Sequence, residues 1–258
     1  MAQNDYCDFL QLPTRPRPRK EGLTSFHDRF LPLKEVENFL EVASEAMDYA
    51  KLIHIGLYPS LPKGWLRKKL RLYKDKGVKT YPGGVPFQVA VVQNKVPEYL
   101  NWLRDQEFDA VEIAEDAMVS NMEISKWDEI IKMALDKGLE VITELGKKDP
   151  QKPLDLGEAY ESIQHDLTLG VSHVTMERAE LNPYLKGDPT PLIDLVQKVG
   201  LKNLIFEPNP FGWPHIHQWC LKTFGPKVNM GNIMKDELMA IEWARRGLQR
   251  LSNYAYFK

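Results

Sequence analysis

The chain has 258 residues, 43% of them hydrophobic, which is enough to bury a sizeable core and fits one large α/β domain. Its 34 basic and 36 acidic residues leave a formal net charge of −2, so no global field favours nucleic acid or an anionic membrane as partner. Two cysteines, Cys7 and Cys220, exclude a disulfide framework and a paired-thiolate metal site; no apolar run reaches the roughly 18 residues of a membrane helix, and the N-terminus lacks the pattern of a signal peptide, so a cytoplasmic protein is expected.

In chain order, a Pro/Arg-rich lead (about residues 1–21, with RPRPRK at 15–20) precedes alternating strand-like and helix-like segments. The pattern predicts a strand at Gly22–Phe26, a helix at Leu33–Met47, a strand at Tyr49–Gly56 and a helix that stops near Gly77. A short strand at Val78–Tyr81 then runs into PGGVP, read as turn. Further helices are expected at Val96–Gln106, Ile124–Lys137, Leu156–Leu169, Pro189–Val199, Pro214–Phe224 and Met234–Leu251. The strands between them are expected at Asp109–Ala114, Leu139–Leu145, Ser172–Glu177, Leu201–Glu207 and Lys227–Met230. Eight strand–helix units predict a single (β/α)8 barrel domain over residues 1–258, although periodicity alone does not separate a closed barrel from an open doubly wound sheet.

The site is expected where strands end. VITELGKKD (Val141–Asp149), AVEIAED, HVTMERAE and NLIFEPN each close an apolar run with an acid, so Glu112, Glu144, Glu177 and Glu207 can converge on the C-terminal rim. Clustered carboxylates repel unless balanced by lysine, arginine or a hard divalent cation, and magnesium suits oxygen ligands. Lys147 and Lys148 follow one of these strands and can meet an anion or move a proton, although most lysines are solvated. His54 follows another strand and is read as a proton-transfer group. Arg15, Arg17 and Arg19 could fold over the barrel as an anion clamp, or stay solvated. Asn229, Gly231 and Asn232 are placed between a strand and a helix, where exposed amides would receive a phosphate. His215 and His217 would project about 200° apart on a helix and make poor joint ligands. GxSxG, HExxH and GxGxxG-helix patterns are absent, which argues against serine hydrolase, zincin and dinucleotide-binding readings.

Taken in order, PRKEGLT, YPGGVPF, VEIAED, ITELGKKDP, VNMGNI and ARRGL resemble the phosphosulfolactate synthase family, an early enzyme of coenzyme M formation, over Arg17–Gln249. The resemblance implies a (β/α)8 barrel, magnesium dependence, a homo-oligomeric assembly with a trimer as one size, and a carbon–sulfur lyase that joins sulfite to phosphoenolpyruvate. On this reading Glu112, Glu144 and Glu177 hold the metal, Lys148 donates the proton with Glu144 and His54 beside it, and Arg19, Lys147 and Arg178 bind substrate together with Asn229, Gly231 and Asn232. The chain departs from the family pattern at His54, read as replacing a lysine, at Gln88 and Ala114, and at Arg178, which is displaced by one position. These changes leave two alternatives open: the same barrel acting on another small phosphorylated acid or nucleophile, and a non-catalytic, stress-associated relative.

Overall fold

A computed structural model describes residues 9–147 and 154–252. Eight parallel strands form one sheet: β1 Thr24–Asp28, β2 Tyr49–Leu52, β3 Lys79–Pro82, β4 Ala110–Ile113, β5 Glu140–Glu144, β6 His173–Glu177, β7 Leu204–Glu207 and β8 Met230–Ile233. Their order is β3-β2-β1-β8-β7-β6-β5-β4. The two ends of that order meet, because the Asp109 N–H donates to the Thr80 carbonyl at 3.0 Å and the Asp109 carboxylate accepts from the Thr80 N–H at 2.7 Å. The sheet is therefore a nearly closed barrel.

Around it lie α1 Leu33–Ala43, α2 Trp65–Asp75, α3 Gly84–Val92, α4 Val96–Gln106 and α5 Ile124–Asp136. The series continues with α6 Leu156–Leu169, α7 Arg178–Lys186, α8 Thr190–Val199, α9 His215–Phe224 and α10 Leu238–Arg245. Helical spacing decides which side faces in: α1 buries Val36, Leu40 and Ala43, and α5 buries Ile130, Ile131 and Ala134. These side chains pack on the outward residues of the strands, among them Phe26, Leu52, Val111, Val141, Met176 and Phe206, all fully or almost fully buried. Each such side chain contributes about 1.5–3 kcal/mol by leaving water, so the outer core carries most of the stability.

The opposite strand faces fill the barrel. Leu23, Tyr49, Tyr81, Ala110 and Ile142 form a separate apolar plug in its lower half, and the Ser25 hydroxyl meets the Tyr81 hydroxyl at 2.8 Å. Because side chains alternate, the next inward positions above this plug are those at the C-terminal rim.

Three expectations are corrected. PGGVP is not a turn: the chain enters α3 at Gly84, with Pro86 in the first helical turn where its missing N–H costs nothing. A further helix, α7, starts directly at Arg178 and carries Pro183 inside it, which hid it from a helix reading. The last strand runs Met230–Ile233, not Lys227–Met230, so Gly231 and Asn232 lie within a strand rather than at a helix start.

Candidate active site

Lys51 on β2 is the centre of the rim. Its Nζ lies 2.8 Å from Glu112 on β4 and 3.0 Å from Glu207 on β7, with all three side chains buried. Burial opposes the ammonium charge, but Glu112 and Glu207 outweigh it and hold Lys51 well above the ordinary lysine range. Glu207 is pushed up to about 7, first by burial and then by Glu112 and Glu177, against the opposing pull of Lys51. Two buried carboxyl groups thus share one ammonium group.

Glu144 at the end of β5 completes a triad. One carboxylate oxygen each from Glu112, Glu144 and Glu207 lies within 4.8 Å of the others, and all three residues are buried. This oxygen donor set, three buried carboxyl groups beside a single lysine, fits a hard divalent cation. Glu177, expected in the metal set, instead sits beside Glu207 as its register partner on β6, outside that triad. Glu207, not Glu177, is the third member of that buried carboxylate group.

Two backbone features let Glu207 enter the barrel. The pairing of β1 with β8 shifts between Thr24↔Met230 and Phe26↔Ile233, a bulge centred on Asn232, which has φ 52°. It turns the Asn232 side chain toward Glu207, to which its amide donates. A Cβ on Gly231 would stand 2.8 Å from Glu207 Cγ, so only glycine leaves that space. Gly84 has a similar part at the start of α3, where a Cβ would meet Ala114 at 2.8 Å and Glu112 at 3.5 Å.

The remaining expected residues separate into two groups. Near the rim, Lys147 donates to the Glu115 carbonyl at 2.6 Å and so ties down the loop after β4. Gln88 braces the same loop, donating to Asp116 at 2.7 Å and accepting from the Ala117 N–H at 2.9 Å. Arg178 begins α7 with its guanidinium 5.9 Å from the Phe211 ring. His54 lies beyond β2 in an exposed turn with φ 50°, whereas the inward lysine of that strand is Lys51, three positions earlier. Lys148 lies outside the described residues.

The second group is at the other end of the barrel. Arg19 pairs with Asp48 at 3.1 Å, just before β2 begins, and Asp48 also accepts from the Thr24 N–H at the start of β1. Arg15 pairs with Glu242, and Arg17 donates to the carbonyls of Met47 and Lys76. The Pro/Arg lead thus packs across the N-terminal face and does not clamp a substrate at the rim. Asn229 lies there too, accepting from the Leu23 N–H at 2.9 Å and donating to the Leu204 carbonyl at 2.9 Å. Both corrections have one cause: these residues precede strands, and only residues at strand ends reach the active face.

Lys51 was missed because one lysine inside YAKL reads as an interruption of a strand. Its inward direction was the signal, since a lysine facing a barrel interior needs carboxylate partners.

The sequence matches the (2R)-phospho-3-sulfolactate synthase (ComA) family over residues 13–250. The chain belongs to the phosphosulfolactate synthase family. It is 34% identical over 241 residues to the phosphosulfolactate synthase of Methanocaldococcus jannaschii, covering 89% of this chain and 93% of that protein. It is 30% identical over 253 residues to the Methanothermobacter thermautotrophicus synthase, covering 94% and 95%. An Escherichia coli K12 aldolase shares the barrel fold with a TM-score of 0.54 at 12% identity, over 87% of this chain and 80% of that one. The resemblance read from the motifs is thereby shown, and with it an enzyme's barrel whose buried carboxylate triad suits a metal.

Proposed function

We propose that the chain joins sulfite to phosphoenolpyruvate to give phosphosulfolactate, acting as a carbon–sulfur lyase in the synthetic direction. The observation that carries this reading is the buried group of Lys51, Glu112, Glu144 and Glu207 at the barrel rim of a phosphosulfolactate synthase family member.

The reaction forms one carbon–sulfur bond. The sulfite sulfur attacks the methylene carbon, the double-bond electrons move toward the carbon bearing the phosphate and into its carboxylate, and that carbon then takes a proton. Magnesium, held by Glu112, Glu144 and Glu207, would supply Lewis-acid stabilisation for the charge on the carboxylate. Lys51 fixes two of these acids in place and offsets their charge, so the site is preorganised before substrate enters. Lys148 is the proposed proton donor. Arg178 and His54 stand at the rim, where anionic substrates arrive.

Family resemblance also supports a cytoplasmic homo-oligomer; among the described residues no helix is long and apolar enough to cross a membrane.

The test is incubation of the purified protein with magnesium, phosphoenolpyruvate and sulfite under reducing conditions, followed by mass spectrometry. Phosphosulfolactate is the expected product. Unchanged phosphoenolpyruvate would reject the reaction, and a product that forms without sulfite would favour another nucleophile.

A further inference from the structure

The acids of the rim come from β4 to β7, and Lys51 of β2 and Asn232 of β8 reach them from the strands on either side of β1. Between those two strands lies β1, whose inward residue at this level is His27. Ser25, two positions earlier, reaches Tyr81 inside the barrel, so strand alternation turns His27 to the same interior. His27 is also the direct register partner of Lys51. The imidazole Nδ1 is buried and has no hydrogen-bond partner among the described residues, and the same is true of Asn232 Oδ1 on the neighbouring strand.

We propose that His27 is a substrate-binding residue, forming beside Lys51 a subsite for a small oxyanion on the β1–β2 side of the barrel mouth. This deepens the proposed reaction and rests on it only for the identity of the natural oxyanion.

A buried ring nitrogen without a partner is destabilising, a loss that a ligand atom would recover. Burial first, and then the charges of Lys51, Arg29 and His54, push the imidazole down to about 3, so at neutral pH it offers one donor and one acceptor rather than a third cation. An anion beside His27 would meet an N–H donor next to the Lys51 ammonium, which Glu112 and Glu207 hold from the other strands. The phosphate of phosphoenolpyruvate, its carboxylate and sulfite all share the chemistry this subsite would recognise.

The test uses the intact protein with imidazole nitrogens labelled, the His27 signal being assigned by its absence in His27→Gln. Inorganic phosphate, sulfite and phosphoenolpyruvate are titrated separately with magnesium present. At least one should move the His27 signal saturably, and its affinity should fall about tenfold in His27→Leu and less in His27→Gln, which keeps a donor; tenfold corresponds to about 1.4 kcal/mol. The anion that moves the signal identifies the group bound. A His27 signal unmoved by all three anions, or His27→Leu binding as tightly as wild type while its melting temperature is unchanged, would overturn the proposal. Product formation from phosphoenolpyruvate and sulfite is scored separately: product with an unmoved His27 rejects the subsite alone, and a shifted His27 without product rejects the reaction alone.

Discussion

Glu207 and Glu177 end adjacent strands as register partners, yet only Glu207 reaches the triad. Isothermal titration of magnesium should therefore separate them. Glu207→Gln is expected to weaken binding about tenfold or more, equivalent to ~1.4 kcal/mol, and Glu177→Gln by clearly less. Equal losses would return Glu177 to the metal set. Glu112 and Glu144 could be read from the sequence because each closes an apolar run; the choice between Glu177 and Glu207 could not. That choice depends on a bulge in β8 and on the space left at Gly231, features of a neighbouring strand. Gly231→Ala should accordingly displace Glu207 and cost about 1–3 kcal/mol of stability, read by denaturant unfolding.

Loops after the strands are built as braced elements. Gln88 on α3 joins the loop after β4 through Asp116 and Ala117, and a Gln88→Glu change would set a carboxylate against Asp116. We expect KM to rise with little change in melting temperature; an unchanged KM would show that this loop does not shape the site. On α9, buried His217 faces Asn209 at 3.4 Å, Glu237 at 3.7 Å and the edge of Trp213. Burial pushes His217 down to about 4 from 6.5, so the folded chain holds its proton less tightly than the unfolded chain. Its neutral form adds stability above pH 6.5, and that stability is lost as pH falls toward 4. His217→Gln should remove this part of the slope, so that thermal melts of variant and wild type converge between pH 6.5 and 4; parallel curves would contradict it. Strongly periodic helices such as Val96–Gln106 and Leu156–Leu169 were legible to the residue. Those begun or interrupted by Gly and Pro, α3 and α7, were not, because local punctuation masks a helix that tertiary packing enforces.

The whole barrel has two ends with different duties. The Pro/Arg lead fastens the N-terminal face, and the acids and Lys51 occupy the C-terminal rim. Arg19→Ala should therefore lower the melting temperature, by about 2–4 °C for each kcal/mol lost, and leave KM for phosphoenolpyruvate essentially unaltered. A large KM increase would bring the lead back to the substrate. The eight-unit architecture was legible because eight strand-like runs alternate with periodic helical segments. Which end a charged residue serves was less so, since a basic residue just before a strand and one just after it look alike until the strand's direction in the barrel is known.

The most direct test of the account is sulfite-dependent turnover of phosphoenolpyruvate by wild type and Lys51→Met, assayed together with magnesium. Lys51 holds Glu112 and Glu207, two of the three acids of the triad, so wild type should form phosphosulfolactate and the variant should lose about 100-fold or more of the rate, the scale of removing one preorganised electrostatic contact. A folded Lys51→Met protein that makes product at the wild-type rate would place the chemistry elsewhere in the molecule.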